Sequence, residues 1–282
     1  MCVAAARDKR FYAMKTVLIT GSTDGIGKEI ARQLAQKGWR VILHGRSEQR
    51  CQKAQKEIKK TTDNLNMDYV CADLTHLADI RKMARQVKER CGALNVLINN
   101  AGIFESQQKF SSDGIELTFA VNHLAYFLLS GLLLDILKQN TPARIVNVSS
   151  MAHASQFDFE NIRGQKHYSG YEAYAQSKLA NILFTFHLAE KLKDSGITVN
   201  CLHPGVISTK LLQAGWGMGG ASVKQGAATS IYLASSPRVE NLTGKYFSDS
   251  QISKCADVAT DRTTQEHLWR LSEALCNYVY EV

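Results

Sequence analysis

The sequence has little proline and no paired cysteine motif. Only three prolines occur in 282 residues, and no proline- or serine-rich linker interrupts the chain, so we predict one domain over residues 15–282. Residues 1–14 show no pattern of secondary structure and predict a flexible tail, in which Met14 is an alternative start to Met1. The seven cysteines are scattered without a C-x-x-C motif, which indicates a reducing compartment and no metal site.

Long apolar runs are also missing. The most apolar stretch is Leu117–Leu137, but it contains Asn122, His123 and Asp135 and therefore predicts a buried helix rather than a membrane span. The first 15 residues hold no apolar run of signal-peptide length. We expect a cytoplasmic protein, and peripheral contact with a membrane is compatible with this sequence.

The chain carries a net charge of +8 without a dense block of lysine and arginine. Such a charge is typical either of a protein that binds nucleic acid or an anionic membrane, or of a basic surface that attracts a polyanionic cofactor. The sequence contains no RNA- or DNA-binding motif. We favour the cofactor and expect no nucleic-acid partner.

Short apolar runs alternate with segments of helix length along the chain. Most of these runs are rich in Val, Ile and Leu, as expected of strands buried on both faces. The alternation predicts an α/β fold, namely a single doubly wound Rossmann-type domain with a mostly parallel seven-stranded sheet and helices on both faces. Ligands of such a sheet bind outside the carboxyl ends of its strands. The predicted strands are Thr16–Thr20, Arg40–His44, Asp68–Ala72, Val96–Asn99, Arg144–Ser149, Thr198–Leu202 and Lys245–Phe247.

A glycine-rich segment follows the first predicted strand. Its sequence, T-G-S-T-D-G-I-G at Thr20–Gly27, opens a helix whose free N–H groups would face a phosphate. Asp24 in this loop does not favour an anion. The second strand ends at Arg46 without the carboxylate that often binds a ribose hydroxyl, and an arginine suits a 2′-phosphate. The sequence therefore favours NADP(H) over NAD(H).

Tyr174 and Lys178 are the candidate acid/base pair. Among three clustered tyrosines, only Tyr174 has a lysine four residues later, which places both side chains on one helix face. A phenol has a pKa of ~10, and a neighbouring ammonium together with an oxidised nicotinamide favours its ionised form. Lowering that pKa to ~7 corresponds to ~4 kcal/mol and suits a general acid/base. Ser150 ends the preceding strand, where it can donate a hydrogen bond to a substrate oxygen.

Taken together, these motifs resemble the short-chain dehydrogenase/reductase family over roughly residues 15–248. The other motifs that carry the resemblance are Asp73-Leu74, Asn99-Asn100-Ala101-Gly102, Asn122 and Pro204-Gly205 with Thr209.

The resemblance implies roles for individual residues. The catalytic set would be Asn122, Ser150, Tyr174 and Lys178, with Asn122 holding a water that connects Lys178 to solvent. Asp73 would contact the adenine amino group, Lys178 the nicotinamide ribose and Thr209 the carboxamide. The implied cofactor-binding residues are Gly21, Ser22, Thr23, Gly25, Ile26, Gly27, Arg46, Asp73, Leu74, Asn100, Ala101, Gly102, Tyr174, Lys178, Pro204, Gly205, Ile207 and Thr209.

Within this family the chain is most similar to the retinol dehydrogenase group. The segments S-S-M-A-H at 149–153 and S-K-L-A-N at 177–181 carry this similarity, as does the long insertion between Ser150 and Tyr174. The insertion leaves Ser149 as the alternative catalytic serine. The resemblance implies a small carbonyl or alcohol substrate, such as a lipophilic aldehyde, ketone, retinoid, steroid or quinone. It is compatible with a homodimer.

Three further expectations concern the surroundings of this site. His153 and His203 are expected to pack rather than react. The glycine-rich stretch Ala214–Ala221 is expected to form a mobile lid over the substrate. A catalytically silent NADP(H)-binding sensor or scaffold is the alternative function, although it would not need a tuned phenol.

Overall fold

The computed structural model describes residues 14–282, so residues 1–13 of the predicted tail lie outside the described residues. Strands and helices alternate over most of this length, as predicted. The strands are β1 Thr16–Ile19, β2 Arg40–Gly45, β3 Met67–Cys71, β4 Val96–Asn99, β5 Ala143–Val148, β6 Ile197–His203, β7 Tyr246–Ser248 and β8 Gln251–Ile252. The helices are α1 Gly25–Gln36, α2 Glu48–Thr62, α3 Leu77–Cys91, α4 Leu117–Phe119, α5 Ala125–Leu132, α6 Leu134–Gln139, α7 Gly170–Lys191, α8 Lys210–Trp216, α9 Val223–Ser235 and α10 Arg262–Cys276.

All the strands join one sheet in the order β3-β2-β1-β4-β5-β6-β7-β8. The first seven strands are parallel, and the order reverses direction between β1 and β4, as in a doubly wound fold. This confirms the predicted fold class. The carboxyl ends of β1 and β4 therefore diverge into helices on opposite faces and leave a crevice between them.

The sheet has eight strands, so the predicted number of seven was one short. The missed strand, β8, runs antiparallel to β7 and pairs Ser248 with Gln251. The two strands are joined by Asp249 and Ser250, which both have positive φ, at 49° and 62°. A two-residue turn of this kind matches the twist of a hairpin. A two-residue exposed strand is too short to produce a recognisable hydrophobic pattern.

Side chains of the buried strands alternate between two apolar layers. Val17 and Ile19 face the layer formed with α1, α2 and α9, whereas Leu18 faces the layer formed with α3, α5, α7 and α10. Both faces of the sheet are therefore covered, as the runs of apolar residues predicted. Among the helices of residues 14–282, none combines the length and apolar character that spanning a membrane requires.

The apolar stretch Leu117–Leu137 is buried as predicted, but it is not one continuous helix. A π-helical turn, Ala120–Leu124, separates α4 from α5 and contains Asn122 and His123. Single π turns inside helices are frequent at functional sites, because they displace one residue from the regular ladder. Here the turn lies directly against α7.

The C-terminal residues pack onto α5 and α7. Trp269 of α10 lies against Phe184 of α7, and Tyr280 lies against Phe127 of α5 with its hydroxyl donating to the Phe127 carbonyl. Gly131 leaves space for Tyr280, because a Cβ at that position would lie 2.8 Å from its ring. The homodimer stays a prediction, and pairing through these covered helix faces would require the C-terminal residues to move.

Candidate active site

A cleft of about 1720 Å³ opens at the carboxyl ends of the strands, where the fold predicts a ligand site. It extends from the glycine-rich loop past the end of β5 to the first turns of α7. All of the predicted site residues line it except Ser22 and Asn122, which are fully buried. The structure therefore brings together residues that are as far apart in sequence as Gly21 and Thr209.

The glycines of the loop are required by close packing. Gly21 has a φ of 64°, and a Cβ there would lie 2.9 Å from the Ala101 Cα. A Cβ on Gly27 would overlap the carbonyl oxygen of Gly21 and the Asn100 amide. These contacts leave a floor of backbone without side chains at the amino end of α1, which a diphosphate can approach closely.

The amino end of α1 has donors available for an anion. Among the N–H groups of the helix, the Asp24 side chain accepts from that of Gly25 alone, at 2.9 Å. Within residues 14–282, the N–H groups of Ile26 and Gly27 have no acceptor. The loop therefore fits a dinucleotide diphosphate.

Asp24 is a less unfavourable neighbour for phosphate than its charge suggests. Its carboxylate pairs with Lys210 at 2.5 Å and with Arg50 at 3.5 Å. The hydrogen bond from Lys210 is the main reason that the pKa of Asp24 lies below its ordinary value. Two cations at the same edge of the cleft thus offset the repulsion between this carboxylate and an anion.

His44 supports the glycine-rich loop, and sequence reasoning missed it. Its Nδ1 accepts from the Gly21 N–H at 3.1 Å, and its Nε2 lies 3.2 Å from the Ala72 carbonyl oxygen. Burial lowers the pKa of His44 to about 4, so the ring is neutral and can accept at Nδ1 while donating at Nε2. Ser22 packs behind the same loop, with its hydroxyl donating to the Ile19 carbonyl.

The residues that are predicted to determine the choice of cofactor lie at the far end of the loop region. Arg46 is exposed at the end of β2 and lines the cleft. Asp73 and Leu74 line the same part of the cleft, and Asp73 accepts two hydrogen bonds from Thr75 at 3.0 and 2.9 Å. The cationic side chain, without a carboxylate at the end of β2, is compatible with a 2′-phosphate.

Tyr174, Lys178 and Ser150 meet in the middle of the cleft. The Lys178 Nζ lies 5.5 Å from the centre of the Tyr174 ring and donates to the Val148 carbonyl at 3.1 Å. Lys178 is buried between Tyr174 and Tyr126, whose hydroxyl donates to the Ala101 carbonyl. The four-residue spacing therefore places the pair as predicted, on the inner face of α7.

The contribution of Lys178 to the expected lowering of the Tyr174 pKa is not found in this structure. Burial raises the pKa of Tyr174 to about 12, and a hydrogen bond with Ser150 only partly opposes this rise. Burial also lowers the pKa of Lys178 to about 7. Burial thus shifts each group toward its neutral form, because removal from water penalises the charged form.

The structure separates the two candidate serines. The Ser149 hydroxyl donates to the Lys178 carbonyl at 2.7 Å, whereas the Ser150 Oγ accepts from the Ala152 N–H at 3.1 Å and keeps its proton for a further partner. His153 packs as expected: its two ring nitrogens bridge the Ser150 carbonyl at 2.7 Å and the Ala256 N–H at 3.1 Å. Ser150 is therefore the serine that is fixed beside Tyr174.

The remaining predicted residues form the rear wall of the cleft. Thr20 accepts from the N–H groups of Asn100 and Ala101, which fixes the end of β4 beside the glycine-rich loop. Gly102 lies beside Lys178, since a Cβ there would be in ordinary van der Waals contact with Nζ at 3.5 Å. The Asn122 side chain binds both backbone groups of Ile103, and its Nδ2 also donates to the Ser177 hydroxyl of α7 at 3.1 Å.

The segment after β6 lines another part of the cleft. Pro204 and Ile207 line it, Gly205 turns with a φ of 95°, and Thr209 caps α8 by accepting from the Leu212 N–H at 3.2 Å. The predicted lid is partly helical, because α8 extends to Trp216. His203 is nearly buried, and its Nδ1 has no hydrogen-bond partner in residues 14–282.

Aromatic and apolar side chains form the outer wall beside Tyr174, a feature that sequence reasoning missed. The rings of Phe104 and Trp216 lie 6.1 and 5.5 Å from that of Tyr174, and Tyr171 lies 6.1 Å from Trp216. Met151 and Met218 at the rim are 63% and 50% exposed. Exposed apolar groups around a cleft favour an apolar ligand.

Comparisons with known proteins agree with this geometry. A family model described as short chain dehydrogenase matches residues 15–216. Human retinol dehydrogenase 11 is 40% identical over 92% of this chain and 84% of its own length, and mouse retinol dehydrogenase 12 is 39% identical over 95% and 88%. The crystal structure of an uncharacterised protein from Mycobacterium paratuberculosis superposes with a TM-score of 0.80 and 31% identity, over 96% of each chain.

Proposed function

The chain belongs to the short-chain dehydrogenase family, and from that membership we propose an NADP(H)-dependent oxidoreductase with Tyr174 as its general acid/base. The coarser activity, interconversion of a carbonyl and an alcohol, follows from the family and from the similarity to retinol dehydrogenases. The observation that supports the finer proposal is the meeting of Tyr174, Ser150 and Lys178 in a cleft that begins at a phosphate-binding loop.

The chemistry of the proposed reaction requires one hydride and one proton. The nicotinamide, when bound, supplies or accepts the hydride. In reduction, the Tyr174 hydroxyl gives its proton to the substrate oxygen while Ser150 donates a hydrogen bond to the same oxygen. In oxidation, Tyr174 takes that proton back. The raised pKa of Tyr174 keeps the phenol protonated at neutral pH, which suits the direction of reduction.

The proposed role of Lys178 is to bind and orient the nicotinamide ribose and to place positive charge near the phenol. Its lowered pKa means that the ammonium is only partly charged at neutral pH in the protein alone. Contact with ribose hydroxyls would replace some of the hydration that the buried ammonium lacks. Thr209, at the start of α8, is proposed to hold the carboxamide.

We further propose a small lipophilic substrate. The aromatic wall of Phe104, Trp216 and Tyr171 supports this, because planar apolar rings favour contact with other apolar surface. An aldehyde, ketone, retinoid, steroid or quinone has the required carbonyl or hydroxyl next to such a surface. The six described cysteines are free thiols, which supports the proposed cytoplasmic location.

The test is NADPH oxidation, followed at 340 nm with a panel of lipophilic aldehydes, ketones and quinones. We expect turnover, and we expect Tyr174→Phe to lose about 10²–10⁴-fold in kcat while binding NADPH normally. Tyr171→Phe is the matched control, because it removes a hydroxyl one turn earlier on the same helix and keeps the ring. NADPH binding without turnover of any compound would instead support a sensor or scaffold.

Cofactor choice is tested separately with Arg46→Asp. Loss of a charge-assisted contact to a 2′-phosphate is expected to shift the ratio of kcat/KM for NADPH and NADH by roughly 10–100-fold toward NADH. An unchanged ratio would show that Arg46 is an ordinary surface residue.

A further inference from the structure

A buried polar chain lies behind Lys178, and the proposed reaction does not use it. Its members are Asn181 on α7, His123 in the π-helical turn and Ser272 on α10, each with an exposed fraction of 0%. Apolar rings surround it, since His123 lies 5.0 and 6.0 Å from Phe119 and Phe184. Polar groups are costly in such a place unless they bond to one another.

The hydrogen bonds fix one orientation for this chain. The Asn181 Nδ2 donates to the Asn122 carbonyl at 2.9 Å, so the Oδ1 faces the His123 Nδ1 at 3.4 Å. Because an amide oxygen only accepts, Nδ1 must carry the proton. The His123 Nε2 then accepts from the Ser272 hydroxyl at 2.9 Å. The proton of that hydroxyl is shared between His123 and the Leu268 carbonyl. Burial lowers the pKa of His123 to about 3, so the ring stays neutral.

The Asn181 amide connects two backbone carbonyls beside Lys178. One belongs to Asn122 in the π-helical turn, and the other, at 3.5 Å, belongs to Val148 at the end of β5. The Val148 carbonyl is also the acceptor of the Lys178 ammonium at 3.1 Å. The amide therefore bridges the π-helical turn and β5 at the point where the lysine is anchored.

We propose that Asn181, oriented by His123, is a positioning residue that holds the Val148 and Asn122 carbonyls in place for Lys178. This inference rests on the proposed function. Without the amide, both carbonyls are free to turn toward the ammonium, which would draw Nζ away from the cleft and stabilise its charged form. The titratable groups that face Lys178 are Tyr174 on its own helix and Tyr126 on α5.

The experiment uses the full chain and compares kcat, KM and the pH dependence of kcat. Asn181→Leu is expected to lower kcat about 10-fold and to move the Lys178-dependent limb of the profile to higher pH. His123→Leu is expected to do the same. His123→Asn should restore most of the activity, because its amide N–H can replace the Nδ1 donor.

Thr185→Val is the matched control. Thr185 lies one turn further along α7 and is equally buried. Its hydroxyl accepts from the Asn147 Nδ2 at 2.9 Å and donates to the Asn181 backbone carbonyl, but it makes no hydrogen bond to the Asn181 side-chain amide. Loss of the Thr185 hydroxyl should reduce the melting temperature of the protein without moving the pH dependence of kcat. Native kcat and an unmoved profile in Asn181→Leu would overturn the inference, as would an equal pH shift in Thr185→Val. If Asn181→Leu does not fold, the His123→Leu and His123→Asn pair decides by the same criteria.

A readout without turnover separates this inference from the proposed function. If the native chain reduces no carbonyl, the proposed function fails, but the effect of Asn181 on Lys178 is still measurable. The stabilisation by Lys178→Met, measured by urea unfolding at pH 7, should be smaller in the Asn181→Leu background than in the native one. Equal stabilisation in both backgrounds would overturn the inference.

Discussion

Replacement of Lys178 by methionine should stabilise the cofactor-free protein, and the gain should shrink as the pH rises. Lys178 is 2% exposed, and burial lowers its pKa from 10.5 to about 7. The unfolded chain therefore binds more protons than the folded one between these two values, and the native free energy of unfolding increases with pH across that window. The ionisation penalty is largest below pH 7 and disappears above the unfolded pKa.

The size of the effect follows from the two pKa values. Integrating the proton linkage over pH shows that burial of Lys178 lowers the free energy of unfolding by about 4 kcal/mol at pH 7 and about 2 kcal/mol at pH 9. Lys178→Met keeps the aliphatic stem and removes the charge. Its free energy of unfolding should exceed that of the native chain by about these amounts, reduced by the contribution of the lost hydrogen bond to Val148. The difference between the two pH values does not depend on that bond.

Urea unfolding of both proteins at pH 7, 8 and 9 measures this difference. Lys193→Met is the control, because that exposed lysine follows α7 and stays in water in both states. A stability difference that is the same at pH 7 and pH 9 would refute the reasoning, since it would mean that Lys178 titrates alike in the folded and unfolded chains.

Four other substitutions test the architecture of the site. Gly27→Ala should lower the free energy of unfolding by about 1–3 kcal/mol and weaken NADPH binding, because a Cβ there would overlap the Gly21 carbonyl. Melting curves measure the loss of stability, and fluorescence titration with NADPH measures the loss of binding. Normal NADPH binding would contradict the predicted phosphate-binding loop. Ser150→Ala should lower kcat, whereas Ser149→Ala should mainly cost about 1 kcal/mol of stability. If Ser149 contacts the substrate instead, steady-state kinetics would show the loss of kcat in Ser149→Ala and not in Ser150→Ala. Trp216→Ala should raise KM for a lipophilic substrate about 10-fold or more and leave the Kd of NADPH unchanged, so an unaltered KM would place the substrate elsewhere.

Much of the fold could be predicted because it depends on local pattern. The runs that became β1 and β2 contain Val, Ile and Leu without interruption, and such runs specify strands buried on both faces. The predicted bounds of β4 match the structure, and those of the other six predicted strands differ from it by one residue at one end or both, where the last hydrogen bond depends on the neighbouring strand. The hairpin strand β8 escaped prediction because its two residues are exposed and carry no periodicity.

The parts of the site that could be predicted share the same local character. The spacing of Gly21, Gly25 and Gly27 sets a turn and a helix start, and the four-residue spacing of Tyr174 and Lys178 sets a common helix face. These features depend on backbone geometry within a few residues, so the sequence alone specifies them.

Electrostatics and long-range support were decided only by the tertiary structure. The pKa of Tyr174 depends on how completely Phe104 and Trp216 exclude water, and those residues lie 70 and 42 positions away along the chain. His123 and Ser272 are separated by 149 residues and yet share a hydrogen bond. A sequence states which groups can ionise or bond, whereas the free energy of each charge depends on the atoms that the fold brings around it.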